Sequence, residues 1–120
     1  MQRNAYKAYA GFLKALLPKI KIPTYQWAEE NIFLPSETSA IDGPFRMHHV
    51  PHLYGIFAAL DDKGVLEVVC MKSAQIAWTT ALIIWLCKEL DLNPGPIIAM
   101  FSALGAGRRF SKTNFTPLVK

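Results

Sequence analysis

The sequence predicts an α/β fold in which parallel strands are flanked by helices. Two apolar runs, Val65 to Met71 and Ile97 to Phe101, are typical of buried strands, and an apolar helical run lies between them. A strand, a helix and a second strand in this order form a right-handed crossover, which makes the two strands parallel. Because both runs are apolar on both faces, we expect further strands beside them, and we predict that the 120 residues are the front part of a larger fold.

Residues 1–50 predict a helix followed by an extended arm that wraps around the rest. Apolar residues recur at helical spacing from Ala5 to Leu17, and Pro18 ends the pattern. The basic residues of this amphipathic helix are Arg3, Lys7 and Lys14. The arm is rich in proline and has few periodic apolar positions, apart from a short helical turn around Trp27 to Asn31.

Residues 51–120 predict the first part of a second unit, made of helices around the two strands. Pro51 suits the first position of a helix, and an apolar stripe follows it and ends before Gly64. The next helix is predicted to begin at Thr79 or Thr80 and to be apolar on nearly every side. Ser102 is the expected cap of a last, weak helix that contains two glycines.

The composition indicates a soluble cytoplasmic protein with a real core. The chain is 52% hydrophobic, and its net charge of +4 permits a polyanionic partner without requiring one. Its apolar runs are far shorter than the roughly 20 residues that span a bilayer, and we find no secretory signal. Cys70 and Cys87 both lie in apolar runs, which favours a reducing compartment over a disulfide scaffold.

A single lysine, Lys72, stands between the first predicted strand and the helix that follows. Such a turn points several backbone N–H groups at one spot, and the helix dipole adds positive potential there, so phosphate is the usual occupant. The common phosphate-binding loop (P-loop) has the pattern G-x-x-x-x-G-K-[ST], of which only the hydroxyl of Thr79 is present. Taken alone, Lys72 is better explained by a strand-end lysine that reaches solvent.

The segment "KSAQIAWTT" (residues 72–80) nevertheless resembles the deviant P-loop of the large terminase subunit of tailed phages, of the lambda-like (gpA) type. That family's loop begins with lysine in the pattern K-[SG]-A-[QR]-[VI]-G-x-[ST]. Three further segments resemble the family in the same order, so the resemblance covers residues 25–120. These segments are "WAEENIFLP" (27–35), "IDGPFRMHHVPHLYGIFAAL" (41–60) and "GPIIAMFSALGAGRRFSKTNFTPLVK" (95–120).

The resemblance implies an incomplete P-loop NTPase, the N-terminal part of an ATPase that drives double-stranded DNA into a capsid. ATP and Mg²⁺ would be its cofactors, with Lys72 contacting phosphate as the catalytic residue and Thr79 binding the metal. The implied ATP-binding residues are Lys72, Ser73, Ala74, Gln75, Ile76, Ala77, Trp78 and Thr79. The family's Walker B acidic pair, coupling motif and nuclease are absent from this sequence, so we expect these 120 residues alone to be inactive.

The same resemblance implies partners and a location. They are double-stranded DNA, the small terminase subunit, the capsid portal and further copies of the full-length chain, in the cytoplasm of the host and without a membrane. Arg108, Arg109 and Lys112 are candidates for contacts with DNA or a neighbouring subunit, although a solvated charged face is the simpler explanation. For the basic N-terminal helix, contacts with DNA or a neighbouring subunit and a solvated charged face are again the two explanations. Docking of the small subunit is a third.

Three positions depart from the family's pattern. Ala77 stands where relatives usually have glycine, so a β-carbon would weaken binding if that position needs a positive φ or a close phosphate. Leu53 occupies the place of an adenine-reading glutamine, and Thr80 the place of a second lysine. These departures leave open a non-catalytic prophage remnant or assembly module, and a helicase-like or other P-loop NTPase is the further alternative.

Several polar groups outside the loop have simpler explanations than a functional site. Asp61 and Asp62 imitate a magnesium-binding carboxylate pair, but we expect them to be a solvated helix end. His48, His49 and His52 cluster in the sequence, yet Pro51 interrupts them, so we expect no zinc site. For Arg46, a surface arginine is the simpler explanation than a nucleotide contact. The sequence therefore directs attention to the loop.

Overall fold

The computed structural model describes residues 2–17, 21–36 and 39–119. Its helices and strands, in chain order, are α1 (Gln2–Leu16), α2 (Thr24–Asn31), β1 (Phe33–Leu34), β2 (Gly43–Pro44), a 3-10 turn (Met47–His49), α3 (Leu53–Asp61), α4 (Trp78–Leu92), α5 (Leu104–Arg109), a π-helical segment (Phe110–Phe115) and α6 (Thr116–Val119). The described part of the chain therefore combines many helices with one small sheet.

The core is formed where α2, α3 and α4 pack against one another. Its largest fully buried side chains are Phe57, Leu53, Ile83, Ile84 and Thr24. The arm contributes to this core, because α2 buries Trp27 and Ala28 in it. The helix α2 also begins three residues earlier than the predicted turn at Trp27. The boundary at residue 50 stays a prediction.

The sheet is a short antiparallel pair. Phe33 lies opposite Pro44 and Leu34 opposite Gly43. The pairing continues in one further hydrogen bond, which the backbone N–H of Phe45 donates to the carbonyl of Ile32 over 2.9 Å. Ile32 and Phe45 are both buried, so this pair anchors the arm to the core.

The predicted parallel strands are not formed. Neither residues 65–71 nor residues 97–101 belong to a strand in the part of the chain that the structure describes, and the sheet that is present is antiparallel. Many of their apolar side chains face solvent, for example Leu66 with 98% and Ile98 with 84% of its surface exposed. A strand needs a neighbour for its N–H and C=O groups, and the described residues provide none for either segment.

The boundaries of α3 and α4 differ slightly from the predicted ones. The helix α3 begins at Leu53 rather than Pro51, because Pro51 forms a turn in which its carbonyl accepts the Tyr54 N–H at 3.2 Å. The helix α4 begins at Trp78, just before the predicted threonines, and no side chain caps it. It ends at Leu92, two residues before Pro94, as the restricted backbone before proline favours.

The C-terminal helices are held by backbone hydrogen bonds. The predicted cap, Ser102, is wrong: Ala103 precedes α5, without a side-chain cap, and its carbonyl accepts the N–H of Ala106 and of Gly107. A π-helical segment then leads into α6, where Pro117 lacks an N–H and cannot complete an α-helical ladder. The carbonyl of Ser111 accepts both the backbone N–H of Thr116 and, at 2.8 Å, its hydroxyl.

The helix α1 confirms the helical periodicity near the N-terminus, although its apolar side is not buried. All its side chains that the structure describes, at residues 5–13, 15 and 16, are exposed. Pro18, which was predicted to end this helix, lies outside the described residues. Of the helices described, none has the length and apolar character required to cross a lipid bilayer.

The core predicts that two phenylalanines differ greatly in how much their replacement by alanine lowers the free energy of unfolding. Replacing the fully buried Phe57 by alanine should lower the free energy of unfolding by about 3–5 kcal/mol, because it removes buried surface and leaves a cavity. The matched control is Phe33→Ala, which removes a side chain that is 64% exposed and should cost less than about 1 kcal/mol. Urea denaturation of both variants measures this difference, and equal losses would contradict the assignment of the core.

Candidate phosphate-binding loop

The loop from Lys72 to Ala77 leads directly into the N-terminus of α4. Gln75 and Ala77 have positive φ angles of 58° and 60°, so the backbone is left-handed on both sides of Ile76. The helix that follows is 15 residues long, and its first N–H groups have no acceptor within the helix. This arrangement is suited to an anion because the unpaired N–H groups and the helix dipole both favour negative charge.

Two side chains of the loop region are free to act on a ligand. Lys72 is exposed, and its Nζ donates a long hydrogen bond of 3.3 Å to the carbonyl of Ser73. Among the described residues it has no acidic partner within ion-pair distance. Thr79 is exposed on the first turn of α4. Within the part of the chain that the structure describes, neither the ammonium group nor the hydroxyl group has another strong partner. Their roles stay predictions.

Ala77 occupies a backbone conformation that favours glycine. Its φ of 60° and ψ of 22° lie in the left-handed region, where a β-carbon approaches the following carbonyl oxygen. The sequence predicts that the β-carbon of Ala77 would weaken binding if this position needs a positive φ. The structure shows that the φ is positive. Its carbonyl still begins the ladder of α4, since it accepts the Ala81 N–H at 2.9 Å.

The histidines occupy different surroundings. The rings of His48 and His49 lie 4.1 Å apart, whereas His52 places its Nε2 2.9 Å from the carbonyl oxygen of Ile76 in the loop. Within the described ranges, no group of three or more His, Cys, Asp or Glu side chains is placed to hold a metal ion. The contact of His52 with the loop was not apparent from the sequence, because the two residues are 24 positions apart.

The other candidate residues lie away from the loop sequence. Leu53 is fully buried in the core, so its side chain is not available to read a base. Arg46, which precedes the 3-10 turn, is exposed. In the C-terminal segment, the three candidate cations are all exposed: Arg108, Arg109 and Lys112. Their contacts with nucleotide, DNA or a neighbouring subunit stay predictions.

Asp61 is not a solvated helix end. It forms an ion pair with Lys88 of α4, with 2.6 Å between Oδ1 and Nζ, and the two side chains are only 20% and 9% exposed. Asp61 also accepts hydrogen bonds from the backbone N–H and the hydroxyl of Thr24, at 2.7 and 2.6 Å. The prediction holds only for Asp62, which is exposed and accepts the Gly64 N–H at 2.8 Å.

One signal in the sequence points to Lys88. It follows Ala81 and Ile84 at positions i+7 and i+4, so it lies on the face of α4 that those two residues bury in the core. A lysine on such a face requires an acceptor, and both Asp61 and the Thr24 hydroxyl provide one. The Thr24–Asp61–Lys88 network therefore connects α2, α3 and α4.

A cleft of about 800 Å³ lies beside this network. Its walls include Tyr25, Tyr54 and Trp85, and the two tyrosine rings lie 4.9 Å apart. The pKa of Tyr25 is raised above its ordinary value, mainly by its hydrogen bond with Tyr54 and secondly by electrostatic repulsion from the Tyr54 side chain.

Both cysteines are free thiols, and burial raises the pKa of Cys87.

Comparison with known proteins assigns the family. A family model described as the ATPase domain of the phage terminase large subunit gpA matches residues 39–120. The chain belongs to this family. A curated relative, the "Terminase, large subunit" of Enterobacteria phage P21, is 31% identical over 80 residues, or 67% of this chain. The chain spans only 12% of that relative's length. No solved structure matches this chain significantly.

The gpA ATPase-domain match includes the whole candidate loop. It also includes Asp61 and Lys88, whereas Thr24 precedes the matched region. The network that these three residues form therefore joins the matched region of this terminase chain to the arm before it. The arm is part of the same packed structure as the region that the family model matches.

The left-handed backbone at Ala77 generates the second prediction. Ala77→Gly should raise the free energy of unfolding by about 1 kcal/mol, because glycine removes the steric cost of the positive φ. Ala58→Gly, at an exposed position within α3, is the matched control and should lower it by a similar amount. Urea denaturation separates the two, and a loss in both variants would show that Ala77 is not strained.

The ion pair generates the third prediction. Lys88→Met should lower the free energy of unfolding by on the order of 3 kcal/mol, because it leaves the partly buried Asp61 carboxylate without its partner. The double variant with Asp61→Asn should lose less than the sum of the two single variants. A double-mutant cycle in urea measures this coupling, with Asp62→Asn as an exposed control. Additive losses would rule out the pair as a source of stability.

Proposed function

We propose that this chain is the N-terminal part of the ATPase motor of a terminase large subunit, which binds ATP and Mg²⁺ to drive double-stranded DNA into a capsid. The observation that carries the proposal is the loop at residues 72–77, which leads into the N-terminus of α4 within the matched family region. The proposal includes a P-loop ATPase fold, of which these residues form the first part.

The groups at the loop fit a nucleotide with its metal. A triphosphate needs backbone N–H donors and a cation, and the first turn of α4 and the exposed Lys72 offer both. Magnesium prefers oxygen ligands and commonly takes only one or two from the protein, which suits the exposed Thr79 hydroxyl. The rest of the proposed cradle is the backbone of residues 73–78.

Each of these groups has a definite role in the proposed reaction, which is phosphoryl transfer to water. Bound ATP would supply the phosphoryl group, and Mg²⁺ would neutralise part of its charge. Lys72 would add positive charge at the terminal phosphates, and the N–H groups at the start of α4 would orient the phosphate chain. Catalysis in such sites consists mainly of positioning and charge stabilisation, which are the contributions that this loop can make.

The partners of the proposed motor follow from its family. We propose that the full-length protein acts on double-stranded DNA together with a small terminase subunit and the capsid portal, as an oligomer in the cytoplasm of the host. The exposed cations Arg108, Arg109 and Lys112 are the proposed DNA or subunit contacts. The helix α1, whose described side chains are all exposed, is available for the small subunit.

One observation favours a second candidate function, a non-catalytic remnant or assembly module. Ala77 has a β-carbon at a left-handed position in the loop, where the family usually has glycine. Such a residue stores strain and adds a methyl group next to the proposed phosphate position. The remnant would keep the packed helices and their protein contacts but would not bind nucleotide.

Calorimetry with a non-hydrolysable ATP analogue and Mg²⁺ tests the proposed function. We expect the 120-residue chain to bind, and Lys72→Ala to weaken the affinity by at least about tenfold, because a charge-assisted contact to phosphate is lost. Lys63→Ala is the matched control, since it removes another exposed lysine outside the loop and should leave the affinity unchanged.

The outcomes distinguish the two candidate functions. If Lys72→Ala and Lys63→Ala weaken the affinity equally, the effect comes from the net charge of the protein. This result would contradict a specific role for Lys72. If the starting protein does not bind and Ala77→Gly restores binding, the chain is a terminase relative with a disabled loop. Absence of binding in every variant contradicts nucleotide binding by these 120 residues and leaves the remnant or an incomplete fold as the explanation.

A further inference from the structure

His52 makes a contact with the loop from outside it. Its Nε2 lies 2.9 Å from the carbonyl oxygen of Ile76, although His52 immediately precedes α3. A carbonyl oxygen only accepts hydrogen bonds, so the ring must carry its proton on Nε2 and act as the donor. The side chain is exposed, which means that the contact is not imposed by burial in the core.

This hydrogen bond determines the direction of a backbone N–H. The carbonyl of Ile76 and the N–H of Ala77 belong to the same peptide, and the described chain contains no cis peptide bond. In a trans peptide these two groups point in opposite directions. When His52 holds the carbonyl on its own side, the Ala77 N–H is therefore directed away from His52.

We propose that His52 is a positioning residue of the loop, which orients the Ala77 N–H for a phosphate group of the bound nucleotide. This inference rests on the proposed function, because it names nucleotide phosphate as the acceptor. His52 does not touch the reacting atoms; it acts through the peptide between Ile76 and Ala77.

The strained backbone explains why such a residue is needed. Gln75 and Ala77, on either side of Ile76, are non-glycine residues with positive φ. This conformation is unfavourable for both, so the peptides between them would readily rotate to a relaxed arrangement. Conformations of this kind persist only when surrounding contacts hold them, and the hydrogen bond from His52 is such a contact.

The test follows both the loop and the ligand in the 120-residue chain. Without nucleotide, ¹H–¹⁵N spectra report the ring tautomer of His52 and the amide signal of Ala77. Calorimetry then gives the affinity for a non-hydrolysable Mg²⁺–ATP analogue. The variants are His52→Ala, His52→Gln, which keeps a side-chain N–H donor, and His49→Ala, which removes an exposed histidine without a loop contact in the described structure.

We expect the His52 ring to carry its proton on Nε2. His52→Ala should shift the Ala77 amide signal and weaken the affinity about tenfold, as the loss of one orienting hydrogen bond would. His52→Gln should restore both measurements in part, and His49→Ala should change neither. Because His52 is exposed, thermal unfolding of the His52 and His49 variants should differ little, so a general loss of folding would not produce this pattern.

Other results overturn the inference in recognisable ways. An Ala77 amide signal that is the same in His52→Ala and in the starting protein shows that His52 does not orient the peptide. A shifted signal with unchanged affinity shows that the peptide's orientation does not matter for nucleotide. If the starting protein binds no nucleotide, the proposed function and the phosphate role both fail. The amide signal still decides, separately, whether His52 holds the loop.

Discussion

The ion pair between Lys88 and Asp61 holds the three core helices in one arrangement. Burying charges costs free energy, and this cost is offset only when the charges are close and their remaining hydrogen-bonding capacity is satisfied. Here Asp61 Oδ1 and Lys88 Nζ are 2.6 Å apart, and Thr24 forms hydrogen bonds with both groups. The Asp61 carboxylate also lies at the N-terminus of α2, where the helix dipole favours negative charge. The pair therefore specifies where α2 begins and how α3 and α4 pack.

The position of the loop depends on this arrangement. Lys88 fixes the second half of α4 to α3, while Ala81 and Ile84 fix its first half in the core. The N-terminus of α4, and with it Ala77 and Lys72, is carried by a helix that cannot rotate without breaking the ion pair. On the other side, His52 stands at the start of α3 and contacts Ile76. The loop is thus held between two helices that the same ion pair joins.

The sequence predicted features that depend on neighbouring residues better than features that depend on residues far apart in the chain. The periodicity of α1 and α3 and the order of loop and helix at α4 are local signals, so they were predicted almost correctly. The beginning of α2 was missed because the group that accepts the Thr24 N–H comes from Asp61, 37 residues away. The two parallel strands were wrong, since pairing requires a neighbouring strand and no property of a single apolar run provides one. In the candidate site, the motif at residues 72–80 predicted a loop before α4. Neither the positive φ of Gln75 nor the contact of His52 with Ile76 could be deduced from that motif.

Two exposed apolar segments, residues 65–71 and 97–101, lie on either side of α4 in the sequence. Leu66, Val69 and Met71 are almost entirely accessible to solvent, and residues 97–101 present a similar surface. Apolar runs without strand partners act as templates for pairing between molecules. A net charge of +4 on 120 residues provides only weak electrostatic repulsion, which salt screens further. These segments are therefore the part of the described surface best suited to association between molecules, and salt weakens the electrostatic repulsion that opposes it.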